Sequence, residues 1–429
     1  MSDNNRYFLR KKVHYYLVLA VIATTLMSWL NLNSYLIILL LICRLVDGRP
    51  RAALKSASGN IFFWAYAVIF LIELAGLLYT HDLFAAWKHM ESKATLVAIP
   101  FIFLGGPFTD PNGYRKLLRA YCILLAAVCL YCLSMAAVEY HWQHDPGVFF
   151  YHELTSAAGV NAVFFSGYVL VAILFLLFSR VLPDPSTVRA IPGFPHRWLR
   201  IGLIMLFSGM MVLLSSRLLL LLLGVVFGVY LIGRRLPKMR PASIYSLVLL
   251  VVLGLATLAF TDNPFSRRYQ ELNPHRLSAT IGPQSQPVPK INAISLRLFM
   301  WRAAFEILQE NSAWVFGVTG GDSQDRLNQK YMDAGMSEGY LGYNFHNEYM
   351  EVLVHSGLVG WTVFMLAIAG LIVMTRITGT LPAVFTTGLI LLLFSTESPL
   401  EMQHGLFLSC FFPLLHYCGR PVRPRGGVY

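Results

Sequence analysis

Residues 160–179 read VNAVFFSGYVLVAILFLLFS, which is twenty consecutive residues without a charged side chain. A helix of about 17–25 apolar residues is long enough to cross the hydrocarbon core of a bilayer, and it satisfies its own backbone hydrogen bonds there. Similar stretches recur along the chain, of which 56% is hydrophobic and 13% charged, where a soluble domain has about 25% charged residues. The sequence therefore predicts an all-α polytopic membrane protein.

Twelve transmembrane helices are predicted from these apolar stretches. Residues 1–261 hold the first nine, residues 262–345 form one long segment, and residues 346–429 hold the last three spans and a basic tail. The predicted spans are 13–30, 33–46, 60–79, 94–107, 118–138, 160–179, 201–215, 218–233, 243–261, 347–373, 381–395 and 402–418. No small-residue cleavage site follows the first span, which is interpreted as a retained helix.

The positions of Lys and Arg predict the orientation, because short cytoplasmic segments carry an excess of basic residues. Placing both termini in the cytoplasm assigns most of the 34 Lys and Arg residues to the inside. Most of the others lie in segment 262–345, which is long enough to be translocated regardless of its charge and is predicted to be extracytoplasmic. It begins as irregular, Pro-rich chain and continues with an amphipathic helix from Leu296 and a short polar helix from Asp322.

A reporter fused after residue 300 is expected to be active only outside the cytoplasm, and a reporter fused after residue 237 only inside. The reason is the alternation of basic and non-basic segments along the chain. Paired fusions to an enzyme that works outside and to one that works inside measure this directly. The same sidedness at both positions would contradict the twelve-span topology.

The formal net charge of +12 does not indicate nucleic-acid binding. A nucleic-acid-binding surface needs a continuous basic stripe, whereas Lys and Arg occur in this chain in short clusters between apolar stretches. The six cysteines lie in or beside apolar stretches, without the spacing of a disulfide framework or a zinc site. Membrane lipids, and no nucleic acid, are therefore the predicted partners.

Charged side chains in or beside a span are costly, and so they indicate functional positions. Arg217 follows Ser216 between two leucine-rich spans, at the predicted outer face. Arg297 and Arg302 lie on the amphipathic helix of the long segment, and Trp301 shares a face with Arg297. These arginines are open to two interpretations, since an interfacial arginine also anchors a helix to lipid headgroups.

The richest polar sequence is FHNEYMEVLVHSG at residues 345–357, where the long segment meets the tenth predicted span. His346 lies at its predicted aqueous end, where an imidazole is suited to proton transfer or to a hydrogen bond to phosphate. Glu351 and His355 are one helical turn apart and are predicted to pair with each other inside the bundle.

Three blocks of the chain resemble the O-antigen ligase family, which shares its central region with O-antigen polymerases and bacterial protein O-oligosaccharyltransferases. The blocks are Ser216-Arg217 before a leucine-rich helix, an Arg followed four residues later by Trp at Arg297 and Trp301, and Phe-His-Asn-Glu-Tyr with Gly-x-x-Gly at residues 345–349 and 357–360. The likeness covers roughly residues 200–375 and implies a GT-C-like membrane glycosyltransferase.

The resemblance implies that Arg217, Arg297 and His346 are catalytic and lie at the outer face of the membrane. The family's donor is a glycan on undecaprenyl diphosphate, and guanidinium groups are suited to stabilise the diphosphate leaving group. Because no Asp-x-Asp cluster occurs in the outer segments, the transfer is predicted to need neither a metal ion nor a cofactor. His346 either accepts the proton of the acceptor hydroxyl or donates a hydrogen bond to phosphate.

Five further residues are predicted to bind substrate, namely Arg302, Glu348, Tyr349, Glu397 and Lys93. Family members often carry an acid at the position of Glu397, where it acts as a base or orients an arginine; a solvated loop carboxylate fits that position equally well. For Lys93 the alternative is contact with lipid headgroups. His141, His144 and His152 match no zinc motif and are interpreted as part of the acceptor entrance.

The resemblance implies a Gram-negative inner-membrane enzyme that transfers O-antigen from undecaprenyl diphosphate to the lipid A-core oligosaccharide at the periplasmic face. Two other acceptors keep the same inverting chemistry, a growing glycan in a polymerase and a protein hydroxyl in an oligosaccharyltransferase. A transporter or flippase for lipid-linked sugars is the alternative from another class. Such transporters show inverted repeats and mid-membrane charges, whereas the polar residues of this sequence gather at one face and no repeat is found.

Overall fold

The computed structural model describes residues 3–46, 50–104, 111–178, 197–234 and 293–420, and within these ranges every regular element is a helix. The all-α class is thus confirmed for this part of the chain. The predicted ninth span, 243–261, lies outside the described residues, as do residues 262–292 of the long segment and the basic tail after residue 420.

The α-helices of the described ranges vary in length from a single turn to more than eight turns. They are α1 (Asp3–Leu26), α2 (Leu30–Val46), α3 (Pro50–Ser58), α4 (Ile61–Gly76), α5 (Leu83–Lys93), α6 (Thr95–Phe103), α7 (Pro111–Gln143), α8 (Tyr151–Ser156), α9 (Ala162–Phe178), α10 (Arg197–Leu214), α11 (Arg217–Arg234), α12 (Ala293–Glu310), α13 (Ser323–Asp333), α14 (Glu348–Thr378), α15 (Leu381–Thr396) and α16 (Gln403–Cys418). Short 3₁₀ turns lie at Pro146–Phe149, Glu338–Tyr340 and Pro399–Glu401.

Each predicted span other than the ninth overlaps one of these helices, although the bounds differ by several residues at some ends. By length and composition, two of the described helices are long and apolar enough to cross a membrane, Gly113–Gln143 within α7 and Glu348–Thr378, which is α14. Shorter apolar helices include α4, α9 and α15. The structure is therefore consistent with a membrane protein, while the crossing of a membrane by any of these helices stays a prediction.

Helix α9 is buried along its whole length, which explains why its sequence has no polar face. It packs against α7, α10, α11, α15 and α16, so the most apolar sequence lies at the centre of the bundle. Its tyrosine, Tyr168, donates a hydrogen bond of 2.7 Å to the backbone carbonyl of His404, which satisfies the buried hydroxyl.

Helices α12 and α13 form a second apolar cluster together with residues at the start of α14. The stripe that the sequence predicted on α12 is its buried face, because Met300, Ala303 and Ile307 are at most 1% exposed. Trp301 donates an indole hydrogen bond of 3.1 Å to the backbone carbonyl of Phe345. Helix α12 is thereby joined to the residue that directly precedes His346.

Helix α14 is broken at Gly357, whose φ of +60° is the left-handed conformation that favours glycine. Segment 314–319, which links α12 to α13, lies against the break, and a Cβ on Gly357 would come within 2.3 Å of the backbone of Val315. Four backbone hydrogen bonds join the two segments: Val318 N–H to Val354 O, Thr319 N–H to His355 O, Leu358 N–H to Trp314 O and Val359 N–H to Val315 O. Backbone groups of α14 on both sides of the break are thus paired with segment 314–319.

Candidate functional site

Arg297, His346 and Glu397 form a contiguous polar group at the ends of three segments that are distant in the sequence. Arg297 Nη2 donates to Glu397 Oε1 at 2.9 Å, and His346 Nδ1 lies 2.9 Å from Glu397 Oε2. The side chains of Arg297 and His346 are each 28% exposed, whereas that of Glu397 is 8% exposed. A nearly buried carboxylate therefore holds a cation and an imidazole, both of which remain accessible.

The backbone places His346 and Glu397 opposite each other. His346 has a φ of +46° and directly precedes Asn347, whose side chain accepts from the Met350 N–H and so caps α14. Glu397 directly follows α15, and its backbone carbonyl accepts from the Glu348 N–H at 3.1 Å. The beginning of α14 and the end of α15 are thereby held together at the site.

A cavity of about 170 Å³ opens beside this group. It brings Arg217, the first residue of α11, to the same space as Arg297 and Glu397, and Ser216 and Tyr151 also line its wall. The remaining lining residues are Val163, Ser215, Leu218, Leu219, Leu393 and Thr396. Several helices therefore converge on one cavity that has cationic groups on its wall.

The charges around the cavity suit an anionic ligand. Two arginines and one glutamate line the cavity, and a protonated His346, bound to that glutamate, would add to the positive charge. The Nε atom of Arg297 is buried and has no hydrogen-bond partner within the described ranges, although a guanidinium offers five donors. A ligand with several acceptor oxygens, such as a phosphate, would satisfy such a fork.

The other predicted substrate-binding residues lie outside the cavity lining. Arg302 pairs with Glu306 at 2.7 Å on the exposed side of α12. The ring of Tyr349 packs edge-on against Phe364 and Phe394. Of the five residues predicted to bind substrate, Glu397 is the one that contacts the predicted catalytic residues, and for Arg302 and Tyr349 the role in binding stays a prediction.

Lys93 and Glu348 both lie fully buried, at 0% exposure. Lys93 Nζ lies 2.8 Å from Glu73 Oε1 and 2.9 Å from Glu401 Oε1, while Glu348 Oε2 accepts from the Leu400 N–H at 2.8 Å. Both side chains thus hold the turn that follows Glu397. Contact of either residue with substrate remains a prediction from the sequence.

Lys93 belongs to a buried charged network that sequence reasoning found only in part. The predicted pair of Glu351 and His355 is present at 3.3 Å, and His355 also lies 3.4 Å from Glu73. His89 lies 3.1 Å from Glu401. Glu73 in a predicted span, and His89 four residues before Lys93, were the sequence signals that could have revealed the rest.

The network offers atoms that could hold a metal ion. Two groups of three residues have ligand atoms within 4.8 Å of one another, namely Glu73, His89 and His355, and Glu351, His355 and Glu401. The ammonium of Lys93 already lies between the carboxylates of Glu73 and Glu401, however. Burial acts to lower the pKa of Lys93, but Glu401 and Glu73 outweigh it and raise that pKa above its ordinary value. A lysine that stays charged supplies the positive charge that these carboxylates need.

Of the three histidines predicted to shape the acceptor entrance, His152 directly follows a residue of the cavity wall in the sequence. His152 is adjacent to Tyr151, and the two ring centroids are 3.9 Å apart. Its Nδ1 accepts from the Ala162 N–H at 3.3 Å, at the beginning of α9. His152 therefore helps to hold the wall that Tyr151 presents to the cavity, while His141 and His144 are exposed near the end of α7.

Part of the cavity wall is formed by residues of the chain that match a known family. Residues 202–365 match the family described as O-antigen ligase, a range that contains Arg217, Arg297 and His346. No curated protein matches the chain. The family is one of bacterial membrane proteins with ligase- or polymerase-type activity in O-antigen biosynthesis. The central region of the chain, residues 202–365, is therefore similar to the O-antigen ligase family.

Proposed function

We propose that this protein is an O-antigen ligase, which transfers a glycan from undecaprenyl diphosphate to the lipid A-core oligosaccharide without a metal ion. The observation that carries the proposal is the cavity at which Arg217, Arg297 and Glu397 meet, with His346 bound to Glu397. We place the reaction at the periplasmic face of the inner membrane, with both termini in the cytoplasm, because the basic residues are distributed accordingly.

The arginines are assigned to the diphosphate. When the bond between the sugar and the diphosphate breaks, the leaving oxygen takes the electron pair and negative charge develops on the diphosphate. Guanidinium groups stay protonated and donate two parallel hydrogen bonds to phosphate oxygens, which stabilises this charge as it forms. Arg217 and Arg297 come from different helices, so the cavity can hold the diphosphate between them.

The pair of His346 and Glu397 is assigned to the acceptor. A carboxylate accepts hydrogen bonds, so the contact of 2.9 Å is a donation from His346 Nδ1–H to Glu397. In a neutral ring, Nε2 then carries the lone pair that can take the proton of the acceptor hydroxyl while its oxygen attacks the anomeric carbon. Attack from the face opposite the diphosphate inverts that carbon. With Nε2 protonated, the same ring would instead donate a hydrogen bond to phosphate.

Transfer by the purified protein tests the proposal. Wild-type protein incubated with a glycan on undecaprenyl diphosphate and a truncated lipid A-core acceptor is expected to yield the glycosylated acceptor, as measured by gel mobility and mass. The free glycan without the diphosphate lipid should give no product. A growing glycan and a protein acceptor are offered in parallel. Transfer only to one of these would reassign the protein to the polymerase or oligosaccharyltransferase reaction, and flipping of the donor without any transfer would overturn the enzyme assignment.

A further inference from the structure

Two buried carboxylates of α14 bind the segment that follows Glu397: Glu351 accepts from the Ser398 hydroxyl, and Glu348 accepts from the Leu400 N–H. Glu351 also accepts from the N–H of Phe345, the residue before His346. We propose that Glu351 is a positioning residue, which holds His346 and Glu397 in the geometry that glycan transfer requires. This inference rests on the proposed transferase function.

A single oxygen of Glu351 makes the connection. Glu351 Oε1 accepts from the backbone N–H of Phe345 at 2.9 Å and from the hydroxyl of Ser398 at 2.9 Å. Phe345 directly precedes His346, and Ser398 directly follows Glu397. The carboxylate therefore bridges the two chain segments that carry the catalytic imidazole and its partner, without contacting either side chain.

A further hydrogen bond ties the residue after His346 to the same bridge. The Ser398 hydroxyl, while it donates to Glu351, accepts from the Asn347 N–H at 3.2 Å. The residues directly before and after His346 are thus both tied to the same pair of groups. His346 has a left-handed φ of +46°, a conformation that persists only where the surroundings hold it. Glu351 and Ser398 supply that constraint.

The second oxygen of Glu351 keeps the carboxylate in place. Glu351 Oε2 lies 3.3 Å from His355 Nε2, and the same nitrogen lies 2.9 Å from the hydroxyl of Ser323. On its other side, His355 faces Glu73. Glu351 is 2% exposed, so its position is set by these contacts rather than by solvent.

Glu351→Ala is expected to lower kcat by about 10²-fold and to change KM little, because a misplacement of catalytic groups by about 1 Å has an effect of that size. Glu351→Gln is expected to restore most of the activity, since its amide oxygen can still accept both hydrogen bonds. Ser398→Ala removes one of the two bonds and is expected to lower kcat by about 3–10-fold. The matched control is Glu310→Ala, at an exposed glutamate of α12, which should transfer at the wild-type rate.

A double-mutant cycle separates positioning from a general loss of stability. Glu397→Gln keeps an acceptor for His346 and is expected to retain measurable transfer. In that background, Glu351→Ala should lower kcat much less than it does in the wild type, because the geometry that Glu351 maintains is already impaired. A full additive loss, or no rescue by Glu351→Gln, would show a merely structural role and overturn the inference. So would undiminished transfer by Glu351→Ala while the wild type transfers normally.

The wild-type reaction keeps this test distinct from that of the proposed function. No transfer by the wild type, with folded protein and intact donor, overturns the transferase assignment and this inference with it. If Glu351→Ala fails to fold, Ser398→Ala decides the question: transfer by Ser398→Ala at the wild-type rate refutes the bridge, and a lowered kcat with an unchanged KM supports it.

Discussion

Replacing Arg297 with alanine is expected to lower kcat for glycan transfer by about 10²–10³-fold, the effect of removing one hydrogen-bond donor to a charge that develops in the transition state. Arg297 lines the cavity and pairs with Glu397, so the substitution removes the proposed diphosphate contact and also the arginine partner of the carboxylate that binds His346. The rate is measured with purified protein at saturating donor and acceptor.

Arg297→Lys should recover little of this loss, because an ammonium cannot make the two parallel hydrogen bonds of a guanidinium fork. Arg326→Ala is the matched control, since Arg326 is an arginine of α13 that hydrogen-bonds Asn311 and lies outside the cavity lining. Thermal unfolding of each variant shows whether the unpaired Glu397 lowers stability. Near-wild-type transfer by a folded Arg297→Ala protein would assign Arg297 to anchoring in lipid instead.

The second large effect is expected at the break in α14. Gly357→Ala should lower the free energy of unfolding by about 2–5 kcal/mol, because it combines a left-handed backbone with overpacking of a filled space. The added Cβ would lie 2.3 Å from the carbonyl of Val315, and Gly317→Ala would meet His355 at 2.4 Å. Since native proteins are stable by only about 5–15 kcal/mol, either loss is a large share of the total and should lower both the yield and the melting temperature. The yield and melting temperature of the purified protein measure this.

Gly388→Ala provides the control within a neighbouring apolar helix. A Cβ on Gly388 would meet nothing within 4 Å, and alanine has the higher helix propensity. This variant should be as stable as the wild type or slightly more stable. Equal melting temperatures for the variants at Gly357 and Gly388 would mean that the approach of segment 314–319 to α14 does not constrain the fold.

Helix positions could be predicted from the sequence because apolar length is a local property. The stretch that became α9 needed no tertiary information, and the pair of Glu351 and His355 followed from their spacing by one helical turn. Helix α5, in contrast, was not predicted. It is short and mixes apolar with charged residues, so Lys93 was placed at the beginning of a span although it ends a separate helix.

The contacts of the site depend on residues far apart in sequence, which no periodicity reveals. Arg297 and Glu397 are 100 positions apart. The resemblance to a family, rather than spacing, suggested that Arg217, Arg297 and His346 share a site. Its motifs did not indicate that Lys93 would be buried between Glu73 and Glu401, because those partners come from α4 and the turn before α16.

The hydrogen bonds between segment 314–319 and the break in α14 constrain the order in which the protein can fold during synthesis. The segment leaves the ribosome before α14 does, yet the four hydrogen bonds at the break form only when both segments are present. The last three helices therefore cannot reach their final packing until segment 314–319 has folded against the break. A chain in which that segment is replaced or delayed should leave four backbone groups of α14 unpaired, which should make it a substrate for cellular quality control.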